Sequence, residues 1–177
     1  AFSRSELLYP ESNGFSILNN QNLKSNILLN DNNEFEPVDY LIVTSEEMLS
    51  QAERLAQINR EVNGLNVKVV DLTTIYNEFN SSNPDISAVR NFVKYVYDNS
   101  EGSLKYLCLF GDASYDYKDR IPNNTNVVPS WHSLSSFSLS SSFISDDFFG
   151  MMDYNEGSMN SSDKLDIAVG RILADSP

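Results

Sequence analysis

A three-layer α/β domain, with a mostly parallel sheet and helices on both faces, is predicted by three observations. First, Leu104 to Phe110 (LKYLCLF) is a largely apolar run that ends abruptly at Gly111 and Asp112. A continuous apolar run closed by turn chemistry reads as a strand buried on both faces, as in the centre of a parallel sheet. Second, two similar runs, Asp39 to Thr44 and Asn66 to Asp71, alternate with stretches of helical periodicity. Third, the order strand, helix, strand, helices, strand favours parallel pairing through right-handed crossovers. At 177 residues, 41% hydrophobic and 21% charged, the chain suits one globular domain with a real core.

Residues 1–36 are rich in Asn and Ser and lack sustained periodicity. Their short apolar clusters, Phe15–Leu18 and Ile27–Leu29, predict one or two short strands within a connector, and Pro37 marks the boundary of the main domain, 37–177. After the strand at Asp39–Thr44, Ser45 with Glu46 and Glu47 forms a helix start, since a hydroxyl and two carboxylates suit the amide-rich end of a helix. Met48, Ala52, Leu55, Ala56 and Val62 make one apolar face, and Gly64 supplies the stop. The strand at Asn66–Asp71 leads to a helical turn with Ile75, Tyr76 and Phe79. Pro84 and Asp85 then open a longer helix with Ile86, Val89, Phe92, Val93 and Val96 at spacings of three and four, closed by Asp98, Asn99 and Gly102. Beyond the Leu104–Phe110 strand, 123–129 reads as a short strand or extended piece. Residues 130–145 read as a Ser-rich loop packed onto the domain by Trp131, Leu134, Phe137, Leu139 and Phe143. Asp147–Asp153 and Leu165–Ile172 are predicted to form a C-terminal β-hairpin with a long polar tip.

Charge and composition exclude several functions. Twenty-five acidic against twelve basic residues give a formal charge of −13, with no basic stripe, so nucleic acid is a poor partner. No apolar run approaches the roughly 20 residues of a membrane span, and direct membrane insertion is not expected. Glycines are isolated rather than clustered into a phosphate loop, and no Gly-x-Ser-x-Gly elbow occurs. One Cys and one His cannot form a zinc set without carboxylates.

Ligands in open α/β sheets gather at the carboxyl ends of the strands, so Gly111, Asp112 and Asp116 mark the rim where function is expected. Cys108 lies within the strand among Leu107, Leu109 and Phe110, surroundings that raise a thiol pKa, so a Cys108/His132 dyad is not expected and no catalytic residue is assigned. Asp112, Asp116, Asp119, Asp146, Asp147, Asp153 and Glu156 fall in and around the rim loops. Such carboxylates either cap turns and hold loop amides or cage a hard cation, with Asp112 and Asp147 the calcium candidates. Asp153-x-Asn155-x-Gly157 is not an EF-hand, because Lys164 stands at its twelfth position. Asp112, then Asp146, is the leading candidate to order the rim. Arg171 is either a brace or an ordinary surface cation.

Taken in order, DYLIVT, the helix around Gln51–Arg60, GLNVKVVDL, AVRNFVKYVYD, YLCLFGDASYDYKDRIP, SSFISDDFFGMMDYNEG and LDIAVGRI resemble the gingipain-type cysteine peptidases across about residues 38–173. Within that family the likeness is strongest to the signal peptidases, or sortases, of the type IX secretion system of Bacteroidetes. The resemblance implies a caspase-like fold of two subdomains, of which this stretch matches the first, with residues 1–36 joining it to an upstream β-rich domain. It places the family's Gly-His-Gly histidine and nucleophilic Cys in the second subdomain, downstream of a Gly-Arg matched here by Gly170-Arg171. Neither motif occurs in this sequence, and His132 follows Cys108, which reverses the family order.

The expected function is therefore that of a non-catalytic half of a cysteine endopeptidase, at the outer-membrane surface of a Gram-negative bacterium. Its partners would be the second subdomain, protein substrates and secretion-system components. The absence of an initiator Met at Ala1 and the unremarkable end at Asp175–Pro177 agree with a piece of a longer protein, prone by itself to self-association through an uncovered sheet edge. The alternative is an acidic, calcium-ordered protein-binding module without catalysis. A self-contained small enzyme at the Asp112 rim lacks a nucleophile and a base.

Overall fold

In the computed structural model, residues 20–135 and 137–177 are described. Helix α1 (Leu23–Asn26) precedes strand β1 (Tyr40–Thr44), a 3-10 turn at Glu46–Met48 and helix α2 (Leu49–Asn63). Strand β2 (Val67–Asp71) runs directly into α3 (Leu72–Phe79), and α4 (Ile86–Asn99) leads to β3 (Tyr106–Phe110). Two short strands, β4 (Trp131–His132) and β5 (Ile144–Ser145), a 3-10 turn at Asp147–Gly150 and β6 (Ala168–Ile172) complete the order.

The main sheet has order β2-β1-β3-β6, and every pairing in it is parallel. Its register aligns Ile42 with Val69 on one side and with Cys108 on the other, and Cys108 with Gly170. Side chains alternate across the sheet, so the two faces build separate cores. Leu41, Val43, Leu107 and Leu109 pack with Ile75, Val89, Phe92 and Phe149 under α3 and α4. Ile42, Val67 and Cys108 pack with Met48, Ala52 and Ala56 under α2. The three-layer arrangement with helices on both faces is thus the one the sequence predicts.

Helix ends follow the chemistry read from the sequence, with one exception. Asp71 caps α3 by accepting from the Thr74 amide at 2.9 Å, and Asp85 caps α4 through the Ser87 amide at 2.7 Å. Gly64 ends α2 at φ +66°, the left-handed conformation that glycine adopts without a Cβ penalty. Ser45, expected to cap, makes no side-chain cap bond, because a 3-10 turn intervenes before α2. Val62, expected on the apolar face, is exposed, since α2 outruns the sheet it covers.

Three further expectations change. An antiparallel hairpin is present, but its strands are Trp131–His132 and Ile144–Ser145 rather than 147–153 and 165–172. The 165–172 segment instead supplies the parallel edge strand β6. Asp147–Gly150 coils into a 3-10 turn that buries Phe148 and Phe149 together, which one face of a strand cannot do for consecutive residues. Leu134, Phe137 and Leu139 are fully exposed, so only the base of the Ser-rich loop packs, through Trp131 against Phe143 at 5.4 Å between ring centroids. Residues 20–36 also belong to the core. Ile27–Leu29, expected as a strand, follows α1, and Leu23, Ile27 and Leu28 are buried against α3, where Glu78 accepts the Leu23 and Lys24 amides. The Phe15–Leu18 cluster lies outside the described residues.

Candidate functional site

The parallel sheet brings the carboxyl ends of β1, β3 and β6 to one rim. Thr44, the last residue of β1, is fully buried and donates its hydroxyl to the Phe110 carbonyl at 2.7 Å, tying two strand ends together. Beyond β3 the ladder continues: the Gly111 amide donates to Ile172 and the Asp112 amide to Ala174. Gly111 has φ +147°, and a Cβ there would stand 2.7 Å from the Val127 Cβ and 3.2 Å from a Val128 methyl. Glycine is required because the 127–128 segment crosses directly over the strand end.

Arg171 holds this rim. Its guanidinium faces the loops on the α3–α4 side and its side chain is only 9% exposed. Nε and Nη2 grip the Asp146 carboxylate at 2.8 and 2.7 Å, Nη1 donates to the Gly111 and Val128 carbonyls at 2.8 and 2.7 Å, and Nη2 also reaches the Pro129 carbonyl at 3.3 Å. These five bonds use all five N–H donors of the fork, a geometry that lysine cannot reproduce. Between the two readings left open for Arg171, the geometry is that of a brace, and it lies inside the domain. The sequence hinted at it by placing Arg within an otherwise apolar strand.

The remaining rim carboxylates serve backbone amides. Asp116 is buried and accepts from Arg120 and Ile121 at 2.5 and 2.7 Å, closing the loop after β3 on itself. Asp112 orders the rim through its main chain, whose carbonyl accepts from Val127 and Val128 at 2.9 Å each. Neither the Asp112 nor the Asp147 carboxylate hydrogen-bonds among the described residues, and the Asp147 amide donates to Ser145 Oγ at 3.1 Å. Among the described residues, no three His, Cys, Asp or Glu side chains converge in a way that could hold a metal ion. Asp166 accepts the Met152 amide, and Glu156 accepts those of Asp153 and Lys164. Arg90 and Lys94 of α4, which sequence reasoning did not single out, clamp the same loop through the Met151, Glu156 and Met152 carbonyls.

Cys108 and His132 do not meet. Cys108 belongs to the core under α2, where burial pushes its thiol above the ordinary value despite a hydrogen bond with Tyr40 and the pull of Arg171. The same burial, reinforced by Cys108, raises the Tyr40 hydroxyl. His132 lines a different cavity of about 580 Å3, on the side of α3 and α4, with Leu72, Tyr76, Ile86, Val127 and Pro129. Its Nε2 faces Ser130 Oγ at 3.3 Å. Burial, with the Asp85 charge second, pushes Tyr76 up to about 12. Neither place combines an ionisable nucleophile with a base.

This framework has known relatives. The sequence pattern of peptidase family C25 matches residues 33–177. The chain belongs to this family. In C25, the gingipain-type cysteine peptidases, it is similar to PorU from Porphyromonas gingivalis, whose structure is described as that of the dimeric latent protein. That match has a TM-score of 0.67 and 30% sequence identity, covering 82% of this chain and 15% of the PorU chain. This chain therefore spans a small share of the relative it matches. No curated protein matches it. No helix among the described residues is long and apolar enough to cross a membrane.

Proposed function

We propose that the chain is the non-catalytic first subdomain of a gingipain-type cysteine endopeptidase that acts as signal peptidase and sortase of a type IX secretion system. The observation that carries this reading is the separation of its lone thiol from its lone imidazole, inside a fold shared with PorU over 15% of that protein's chain. The Cys and His that cut would come from a second subdomain. There a thiolate attacks the scissile carbonyl, the amine leaves with a proton from the imidazolium, and the resulting thioester is released to water or to an acceptor amine. This chain contributes a rigid wall, with Arg171 fixing the loops at the carboxyl ends of the strands. The cargo would be secreted proteins bearing C-terminal sorting domains, met at the outer-membrane surface together with other secretion components.

The test compares two preparations on a cargo protein that carries its sorting domain. The chain alone is expected to leave the cargo intact, and the polypeptide that joins it to the second subdomain is expected to cleave it. Cleavage by the chain alone that is abolished in Cys108→Ala overturns the non-catalytic assignment. A joined polypeptide that cuts other peptides but never the cargo overturns the sorting role.

A further inference from the structure

The two faces of the sheet are covered unequally. Helices α3 and α4, with the Phe148–Met152 segment, cover one face, whereas α2 alone lies on the other, over β1 and β2. Beside α2, the surfaces of β3 and β6 form the floor of an open trough of about 750 Å3. Tyr106, Ala168, Gly170 and Ile172 are exposed on that floor, and Leu55 and Asn59 of α2 form its wall. Of the described residues lining the trough, Arg171 alone carries a charge, and its guanidinium is turned to the opposite face and fully engaged. In a chain that is 21% charged, an exposed sheet surface without a free charge has the composition of an interface core.

The floor is two strands wide, about 10 Å, which is the diameter of one helix and the usual distance between packed neighbours. Ala168 and Gly170 keep its centre low, and a Cβ at Gly170 would meet nothing within 4 Å. Among the described residues no strand pairs with the outer edge of β6, which carries no Lys or Pro to blunt it.

We propose that this trough seats an α-helix from the second subdomain, laid beside α2 across β3 and β6, so that the peptidase is assembled by completing the third layer. The proposal rests on the functional reading above and adds the surface and the shape of the partner. The match leaves most of the PorU chain outside the shared region, which is where such a helix would come from. A second copy suits the site less well, because each chain carries a formal −13 and the neutral trough offers no compensating cation.

Gly170→Cys tests the assignment, since open space above Gly170 lets the variant fold. Maleimide labelling at position 170, mapped by peptide mass, is compared in the chain alone and in the two-subdomain polypeptide. The chain alone should label freely, and the joined polypeptide about tenfold more slowly or less. Equal rates in a joined polypeptide that cleaves peptides overturn the docking while leaving the functional reading intact. Slow labelling in one that cleaves nothing keeps the docking and removes that reading. Labelling of the chain alone that slows as its concentration rises assigns the trough to a second copy and overturns the proposal. Gly170→Arg supplies the converse: unchanged melting of the chain alone, and weaker subdomain association measured by limited proteolysis.

Discussion

Arg171 links one strand to three loop positions and one carboxylate, so its removal orphans several partly buried acceptors at once. Replacing it by Met should cost about 3 kcal/mol of folding stability by urea denaturation, because the Asp146 carboxylate and three carbonyls lose their donors together. Arg171→Lys should recover only part of the loss, since a point charge cannot span the same acceptors. Asp112→Asn is the control, expected to change stability by less than about 0.5 kcal/mol, as its side chain has no partner and its main chain does the tying. A full-sized loss in Asp112→Asn would show that its carboxylate carries the rim. Titration adds a second check. Cys108 and Tyr76 both have pKa values raised in the folded state, from 9.0 upward and from 10.0 to about 12. The stability they contribute is complete below those ordinary values and is lost as pH rises, beginning near 9 for Cys108 and across 10 to 12 for Tyr76. Melting temperature should therefore fall through alkaline pH, with the fall above pH 10 shallower in Tyr76→Phe. An unchanged slope in that variant contradicts the assignment.

The elements legible in the sequence are those whose signal is local. β1, β2 and β3 were marked by apolar runs too short and too continuous for half-exposed strands, and α3 and α4 by capping aspartates ahead of an apolar stripe. Asp71→Ala and Asp85→Ala should each cost about 1 kcal/mol, read as a shift in denaturation midpoint at constant slope, and a change near zero would mean that the caps are replaced by solvent. Pairing was less legible. The strand at 168–172 shows its own pattern but not its partner, and the nearest strand-like segment in sequence was a wrong guide, because β3 lies some 60 residues upstream. The Phe148–Phe149 pair was read as strand although consecutive buried aromatics suit a tight turn here. Acceptors on Val128 and Pro129 could not be read at all, since a main-chain carbonyl has no sequence signature. The rim carboxylates were found as a group, whereas their division into Asp146 as ion partner, Asp116 as loop cap and Asp112 as main-chain tie needed coordinates.

Across the whole molecule, a rigid rim sits at the carboxyl ends of a parallel sheet, the lone thiol is sealed under α2, and the imidazole lines a cavity on the far side. Such a body can position loops and present a wall, but its own residues do not assemble a cutting centre. Family C25 membership and the likeness to PorU give that wall a context in which the cutting groups lie elsewhere. The most direct measurement is peptide cleavage by the joined two-subdomain polypeptide carrying Cys108→Ala and His132→Ala together. Cleavage within about twofold of the parent rate is predicted, because neither group touches the reacting bond. A loss of about 10²-fold or more, the scale expected when a nucleophile or general base is removed, would contradict the account.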